Sequence, residues 1–354
     1  MEAIGKKEKL TRQTGTFCPH IRDVNIQHQS NLHDACSELH HSLNANLGKF
    51  FAIAKKIART TERTTQMLFD DAKSFTSSPA KAVTIFGMSG VGKTRISNLL
   101  RKNNWFHYSI DYRIGTRYMG EFITDNLKRE AMKVEFLSTL LRSDSIDIST
   151  NLRFENLEPL STYLGAPGNS DQGGLSLKEY QKRQEQHRIA EIAALKDVPH
   201  FIERAKNLYG YENFITDTGG SMIEVVTPDE NDPSIKALTS STLMLYIRGT
   251  DADTDALIER YKNAPKPMYY RPALLVEKWA QFKKLNQIDN DNEVDPVSFA
   301  VWGFEEILID RLPRYQALAD RFGYTVDASD LRTVRDANDF EQLMCKAIES
   351  RAKT

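Results

Sequence analysis

The chain is short of the features that mark several protein classes. Its 354 residues include three cysteines, Cys18, Cys36 and Cys345, too few and too scattered for a disulfide framework. No apolar run approaches the ~20 residues that cross a bilayer, and the N-terminus lacks the apolar stretch of a secretion signal. Charge of one sign is missing too. Lys and Arg total 47 against 48 Asp and Glu, a net charge of −1, so no basic field argues for nucleic acid or an anionic membrane as partner. These absences lead to the expectation of a soluble, cytoplasmic protein acting on small molecules. With 40% hydrophobic residues, the length allows one large domain with additions, or two, each with a sizeable core.

Residues 1–79 read as an N-terminal extension, polar and partly disordered at first, then helical from about 31 to 75. Leu47, Phe50, Phe51, Ala54, Ile57 and Ala58 recur there at helical spacing and form an apolar stripe that could serve a protein partner. Thr76, Ser77, Ser78 and Pro79 break this helix. Cys18, His20, His33, Cys36, His40 and His41 match no common zinc spacing.

At residue 80 the chain turns abruptly apolar. Ala82 to Phe86 is a short β-rich run, and Ile96, Leu99 and Leu100 repeat at helical spacing just beyond. Between them lies Gly87-Met88-Ser89-Gly90-Val91-Gly92-Lys93-Thr94, which matches G-x-x-x-x-G-K-[ST] in the strand–loop–helix context the motif requires. Glycines let such a loop turn successive N–H groups inward around phosphate oxygens, and the helix N-terminus adds positive partial charge. Lys93 is expected at the β and γ phosphates of ATP and the Thr94 hydroxyl on Mg²⁺.

A phosphate loop leaves the reaction open. The chain has no N-K-x-D guanine signature and no apolar strand ending in Asp-Glu. Ile307-Leu308-Ile309-Asp310 resembles such a strand, but Glu305, Glu306 and the spacing of Val301, Phe304 and Leu308 make it a helix. Four further strands are expected along the chain. Phe106 to Ile110 leads to Asp111, with Tyr112 and Arg113 behind it, and places a carboxylate where open α/β sheets bind ligands. Asn213 to Thr216 leads into Asp217-Thr218-Gly219-Gly220-Ser221, where Asp217 could hold a Mg²⁺-bound water and the glycine pair lets substrate approach the backbone. Leu243 to Ile247 precedes Arg248, Gly249 and Thr250, and Tyr324 to Ser329 forms a last strand and turn. Trp105 and Trp302 are read as packing residues.

In this order the segments resemble shikimate kinase and its relatives among the small P-loop kinases. The carriers are Gly87 to Thr94, Ser109-Ile110-Asp111, Thr218-Gly219-Gly220, Arg271-Pro272-Ala273-Leu274-Leu275, Arg311-Leu312-Pro313-Arg314-Tyr315 and Arg188-Ile189-Ala190-Glu191. The resemblance implies that Asp111 contacts the hydroxyl acceptor, that Arg188 and Arg311 hold an anionic group, and that Arg271 meets the transferring phosphate. Arg113, Gly219 and Gly220 join the substrate side, and Asp327 and Ser329 fall where small kinases contact the base.

The chain departs from the family in three short places and one long one. Ser109 replaces a carboxylate, two glycines stand where the family has three, and Ala273 interrupts the arginine element. About 100 residues separate Asp111 from the next strand, which points to a bigger acceptor or a regulatory contact. The expectation is therefore a three-layer α/β P-loop domain over residues 80–354, with a helical insertion at about 117–185 and a lid at about 250–275. It would bind ATP·Mg²⁺ and phosphorylate a hydroxyl of an anionic small molecule. The alternatives are an ATPase switch and a nucleotide-binding module without turnover.

Overall fold

A computed structural model describes residues 68–69 and 71–352. The apolar stripe at Leu47 to Ala58, Cys18, Cys36 and the histidines of the first 41 residues lie outside them. By internal contacts the described part belongs to one unit, Thr65–Thr354.

Its centre is a five-stranded sheet of order β2-β3-β1-β4-β5, parallel at every pairing and flanked by helices, as in a three-layer α/β domain. The strands are β1 (Ala82–Phe86), β2 (Trp105–Ser109), β3 (Asn213–Asp217), β4 (Leu243–Arg248) and β5 (Gly323–Asp327). Val83, Ile85, Ile215, Leu245 and Ile247 have no exposed surface, as expected of strands covered on both faces, whose sequences read as continuous apolar runs. Thr84 is also fully buried, and its hydroxyl is satisfied by Thr242 Oγ1 at 2.7 Å.

Helices α1 (Ala72–Ser77), α2 (Lys93–Arg101) and α3 (Ile110–Arg113) come before, between and after the first two strands along the chain. Then come α4 (Gly120–Ala131), α5 (Glu135–Arg142), α6 (Glu158–Leu164), α7 (Leu177–Lys196) and α8 (Val198–Tyr209), the helical stretch expected between Asp111 and the third strand. After β3 follow α9 (Met222–Val225) and α10 (Pro233–Ser241); after β4, α11 (Asp251–Asn263), α12 (Pro272–Leu285) and the 27-residue α13 (Pro296–Phe322). The chain ends in α14 (Ala328–Thr333) and α15 (Ala337–Arg351).

Three boundaries differ from the sequence reading. The helix expected to run through residue 75 does not include Leu68 or Phe69; α1 starts afresh because the Asp71 carboxylate accepts from Ser74 N at 2.7 Å and caps it. Phe75 is then buried in the main core. The second strand stops at Ser109, since Ser109 becomes the N-cap of α3 and puts Ile110 and Asp111 on a helix. The last strand stops at Asp327, and Ala328 and Ser329 open α14. Ile307–Asp310 is helical, within α13. Trp105 is buried edge-on to Phe340, and Trp302 packs on Phe282 and Phe299.

Candidate active site

The parallel sheet brings the segments that follow its five strands to its carboxyl edge, where α/β folds bind ligands. The first, Gly87–Thr94, joins β1 to α2. Gly87, Gly90 and Gly92 take φ values of 134°, 84° and 104°, which residues with a Cβ rarely adopt. A Cβ on Gly87 would also stand 2.6 Å from Ile247 O. Lys93 opens α2 and is 8% exposed; its Nζ donates to Gly87 O (2.8 Å) and Met88 O (2.6 Å). Burial lowers its pKa to about 8, opposed by the charges of Asp111 and Asp217. Thr94 is exposed on the first turn of α2.

Asp111 stands at the end of β2, in the first turn of α3. Burial raises its carboxyl to about 6, reinforced by the charge of Asp217 and opposed by Lys93. A carboxylate so poised is suited to accept a proton near neutral pH. Gly219 explains part of the glycine pair, because a Cβ there would overlap Asp111 Oδ1 and stand 3.1 Å from Ser221 Oγ. Gly220 O accepts from Tyr315 Oη at 2.5 Å. Asp217 ends β3, the strand paired directly with β1, and its Oδ1 lies 2.9 Å from His107 Nε2.

A cavity of about 610 Å³ joins these parts, lined by Met88, Ser89, Gly90, Asp111, Gly219, Gly220 and Arg311 together with residues of α6, α7, α11 and α13. The expected groups therefore meet in part. Asp111, Gly219, Gly220 and Arg311 share a wall with the loop. Arg311 is 6% exposed; its Nε donates to Glu224 Oε1 at 2.8 Å and its Nη2 to Tyr269 O at 2.7 Å.

Three of the expected arginines do not line the cavity. Arg113 is held by Asp197 at 2.9 Å and lies over the Phe201 ring. Arg188 forms a two-pronged pair with Glu185, both bonds 2.7 Å, while Glu191, three residues on, is wholly buried and accepts from Ser221 Oγ at 3.0 Å. The i, i+3 spacing on α7 thus separates the two between surface and core. Arg271 pairs with Asp310 at 2.5 Å and Glu224 at 3.3 Å.

The structure adds Arg260 and His187 to the groups expected from the sequence. Arg260 on α11 lines the cavity, has no ion pair among the described residues, and its Nη2 would lie 2.6 Å from a Cβ on Gly90. Only its place after the fourth strand could have drawn attention to it. His187 and Glu191 form a buried pair at 3.6 Å. Burial pushes His187 down to about 4 and Glu191 up to about 8, the latter helped by the Asp111 charge, so both are neutral at pH 7. Tyr269 stacks on the His187 ring with centroids 5.0 Å apart.

No group of three or more His, Cys, Asp or Glu side chains among the described residues could hold a metal by itself, and no described helix is long and apolar enough to cross a membrane. No protein-family model and no curated protein matches the chain.

Proposed function

We propose that the chain is a P-loop phosphotransferase that moves the γ-phosphoryl group of ATP to a small-molecule hydroxyl. The observation that carries this reading is that the Gly87–Thr94 loop, which holds the buried Lys93 against its own carbonyls, and a carboxylate of raised pKa line one cavity at the carboxyl edge of a parallel sheet. Phosphoryl transfer asks the protein for positioning and charge stabilisation. Asp111 takes the proton of the acceptor hydroxyl as its oxygen bonds to the γ-phosphorus. The bond from that phosphorus to the bridging oxygen breaks, and ADP leaves with the electron pair. Lys93 and Arg260 supply positive charge where the transferring group carries its negative oxygens.

Mg²⁺ fits the donor set, because the Thr94 hydroxyl and the Asp217 carboxylate are hard oxygen ligands and this ion is commonly held by one or two protein groups plus phosphates and water. When bound, it neutralises phosphate charge. His107, bonded to Asp217, keeps that carboxylate oriented.

ATP turnover by wild type and Lys93→Ala, with and without a fractionated metabolite extract, tests the reading when free phosphate and phosphorylated metabolites are followed by mass spectrometry. The expected result is a phosphorylated metabolite that the variant does not make. Lys93-dependent phosphate release without any such product would favour the ATPase switch instead, and tight nucleotide binding with neither would leave a binding module.

A further inference from the structure

We infer that the acceptor is an uncharged hydroxyl compound with an apolar, ring-sized body; this rests on the phosphotransfer reading above and names its substrate class. Two independent observations support it, one from charge and one from the cavity wall.

The resemblance to small kinases implies arginines that grip an anion, yet these arginines are already engaged. Asp197 holds Arg113, Glu185 holds Arg188, and Asp310 with Glu224 holds Arg271. Arg311 alone of the four lines the cavity, and the Glu224 carboxylate, with no exposed side-chain surface, sits 2.8 Å from its Nε. An incoming carboxylate would have to share that guanidinium with Glu224 and crowd two like charges in a buried setting. Asp111 adds a further negative group on the same wall. The neighbouring His187 and Glu191 contribute no charge, since burial keeps both neutral. Lys266, at the same cavity, is exposed and lies 3.6 Å from Glu158, while Arg260 stands beside Gly90 at the phosphate end.

The wall is the second observation. Leu157, Leu160 and Leu164, at or on α6, line the cavity together with Leu257, Phe304 and Leu308. Tyr261 stacks flat on Phe304, ring centroids 3.9 Å apart. The insertion between β2 and β3 thus supplies an apolar side to the acceptor space, which a compact hydroxy acid would leave in contact with its own water shell. A ring or hydrocarbon body of the acceptor covers it, and removing that surface from water favours binding. The volume of about 610 Å³ lies inside the ~300–1,000 Å³ range of sites that enclose drug-sized ligands.

Three probes separate the possibilities in saturation-transfer NMR on the full chain with Mg²⁺ and a non-hydrolysable ATP analogue: benzyl β-glucoside, uncharged with an apolar aromatic ring; glucose, uncharged without an aromatic ring; and gluconate, anionic without one. The expected result is saturation on the benzyl ring protons, binding of the benzyl glucoside at least tenfold tighter than glucose, and no advantage for gluconate. Leu157→Asp should weaken the benzyl probe fivefold or more. Leu160→Phe, which fills the cavity without burying a charge, should do the same and remains informative if the aspartate variant does not fold by circular dichroism. Gluconate binding tighter than the benzyl probe, no saturation of the ring, or ring binding indifferent to both folded variants would overturn the inference. The phosphotransfer reading fails on a different signal, the absence of Lys93-dependent binding of a fluorescent ATP analogue, which leaves the probe ranking without nucleotide readable on its own.

Discussion

The two ends of the cavity are built differently. The end proposed to hold phosphate is one contiguous loop, Gly87 to Thr94, whose shape comes from three left-handed glycines and whose lysine lies within the same eight residues. The end proposed for the acceptor is assembled from Asp111, the Gly219–Gly220 turn, His187 on α7 with Glu191 buried behind it, α6 of the insertion, and Arg311 on α13. At the first end the proposed role falls to the backbone, so it can be read from consecutive residues. At the second, a side chain's role depends on partners far along the chain. Glu224 engages Arg311 across 87 residues and Arg314 across 90, and those pairings decide which arginines can still meet a ligand.

The largest expected effect falls on the residue that joins the two ends. Asp111→Asn should lower phosphoryl transfer by about 10²–10⁴-fold, the range of a lost general base, while a fluorescent ATP analogue still binds within about threefold of wild type. Equal losses in nucleotide binding and turnover would instead assign Asp111 to the phosphate end. Next in size is Gly219→Ala. Its new Cβ would overlap Asp111 Oδ1 and displace the carboxylate, and a misplacement near 1 Å costs on the order of 10²-fold. A crystal structure of this variant with Asp111 unmoved and activity intact would remove the reason given for the glycine.

Arg260→Ala should reduce turnover about tenfold or more and weaken ATP binding more than ADP binding, because a guanidinium beside Gly90 with no ion pair among the described residues is suited to the outermost phosphate. Equal effects on ATP and ADP affinity would move its contact inward.

Protonation separates the ends further. For the free enzyme, kcat/KM should rise with pH through about 6 as Asp111 becomes a base, and fall above about 8 as Lys93 loses its charge. Glu191 should act on stability. Its folded carboxyl, at about 8, binds a proton more tightly than the unfolded group at its ordinary 4.5. The folded state is therefore favoured at low pH, and that advantage is lost as pH rises from about 4.5 through 8. Glu191→Gln should melt about 3–8 °C above wild type at pH 9 and close to it at pH 4.5. Parallel melting curves across that range would refute the buried neutral carboxyl.

Much of the scaffold was legible because buried parallel strands advertise themselves. Ala82–Phe86 has the expected bounds, Asn213–Asp217 and Leu243–Arg248 differ by a residue, and Asp310 is helical as its spacing implies. The strand ends at Ser109 and Asp327 were harder, since each strand passes straight into a helix with no loop between, the first capped by the Ser109 hydroxyl. At the site, Asp111, Gly219, Gly220 and Arg311 were legible from their order along the chain. Arg260 was not, because an arginine on an exposed helix face looks the same whether it meets water or a phosphate. Neither was the leucine wall, whose members lie in an insertion with no pattern of its own to compare.

The smallest effect expected is the one that the family resemblance would make large. Arg188 was assigned to the acceptor's anionic group, yet both its hydrogen bonds reach Glu185 on its own helix, and a half-exposed i, i+3 pair of this kind contributes about 0–1 kcal/mol. Arg188→Ala should therefore leave kcat/KM within about twofold of wild type and shift the melting temperature by a degree or two at most, on the scale of a surface substitution. The same substitution at Arg311 would leave buried Glu224 without its closest cation and the Tyr269 carbonyl without a donor, a loss of about 3–5 kcal/mol for a buried pair broken on one side. Two arginines proposed for one task thus part by their partners alone. A tenfold fall in acceptor use for Arg188→Ala, with the melting temperature unchanged, would mean that the helix surface around residue 188 closes over the acceptor, and would return the anionic group to the list of things the site must hold.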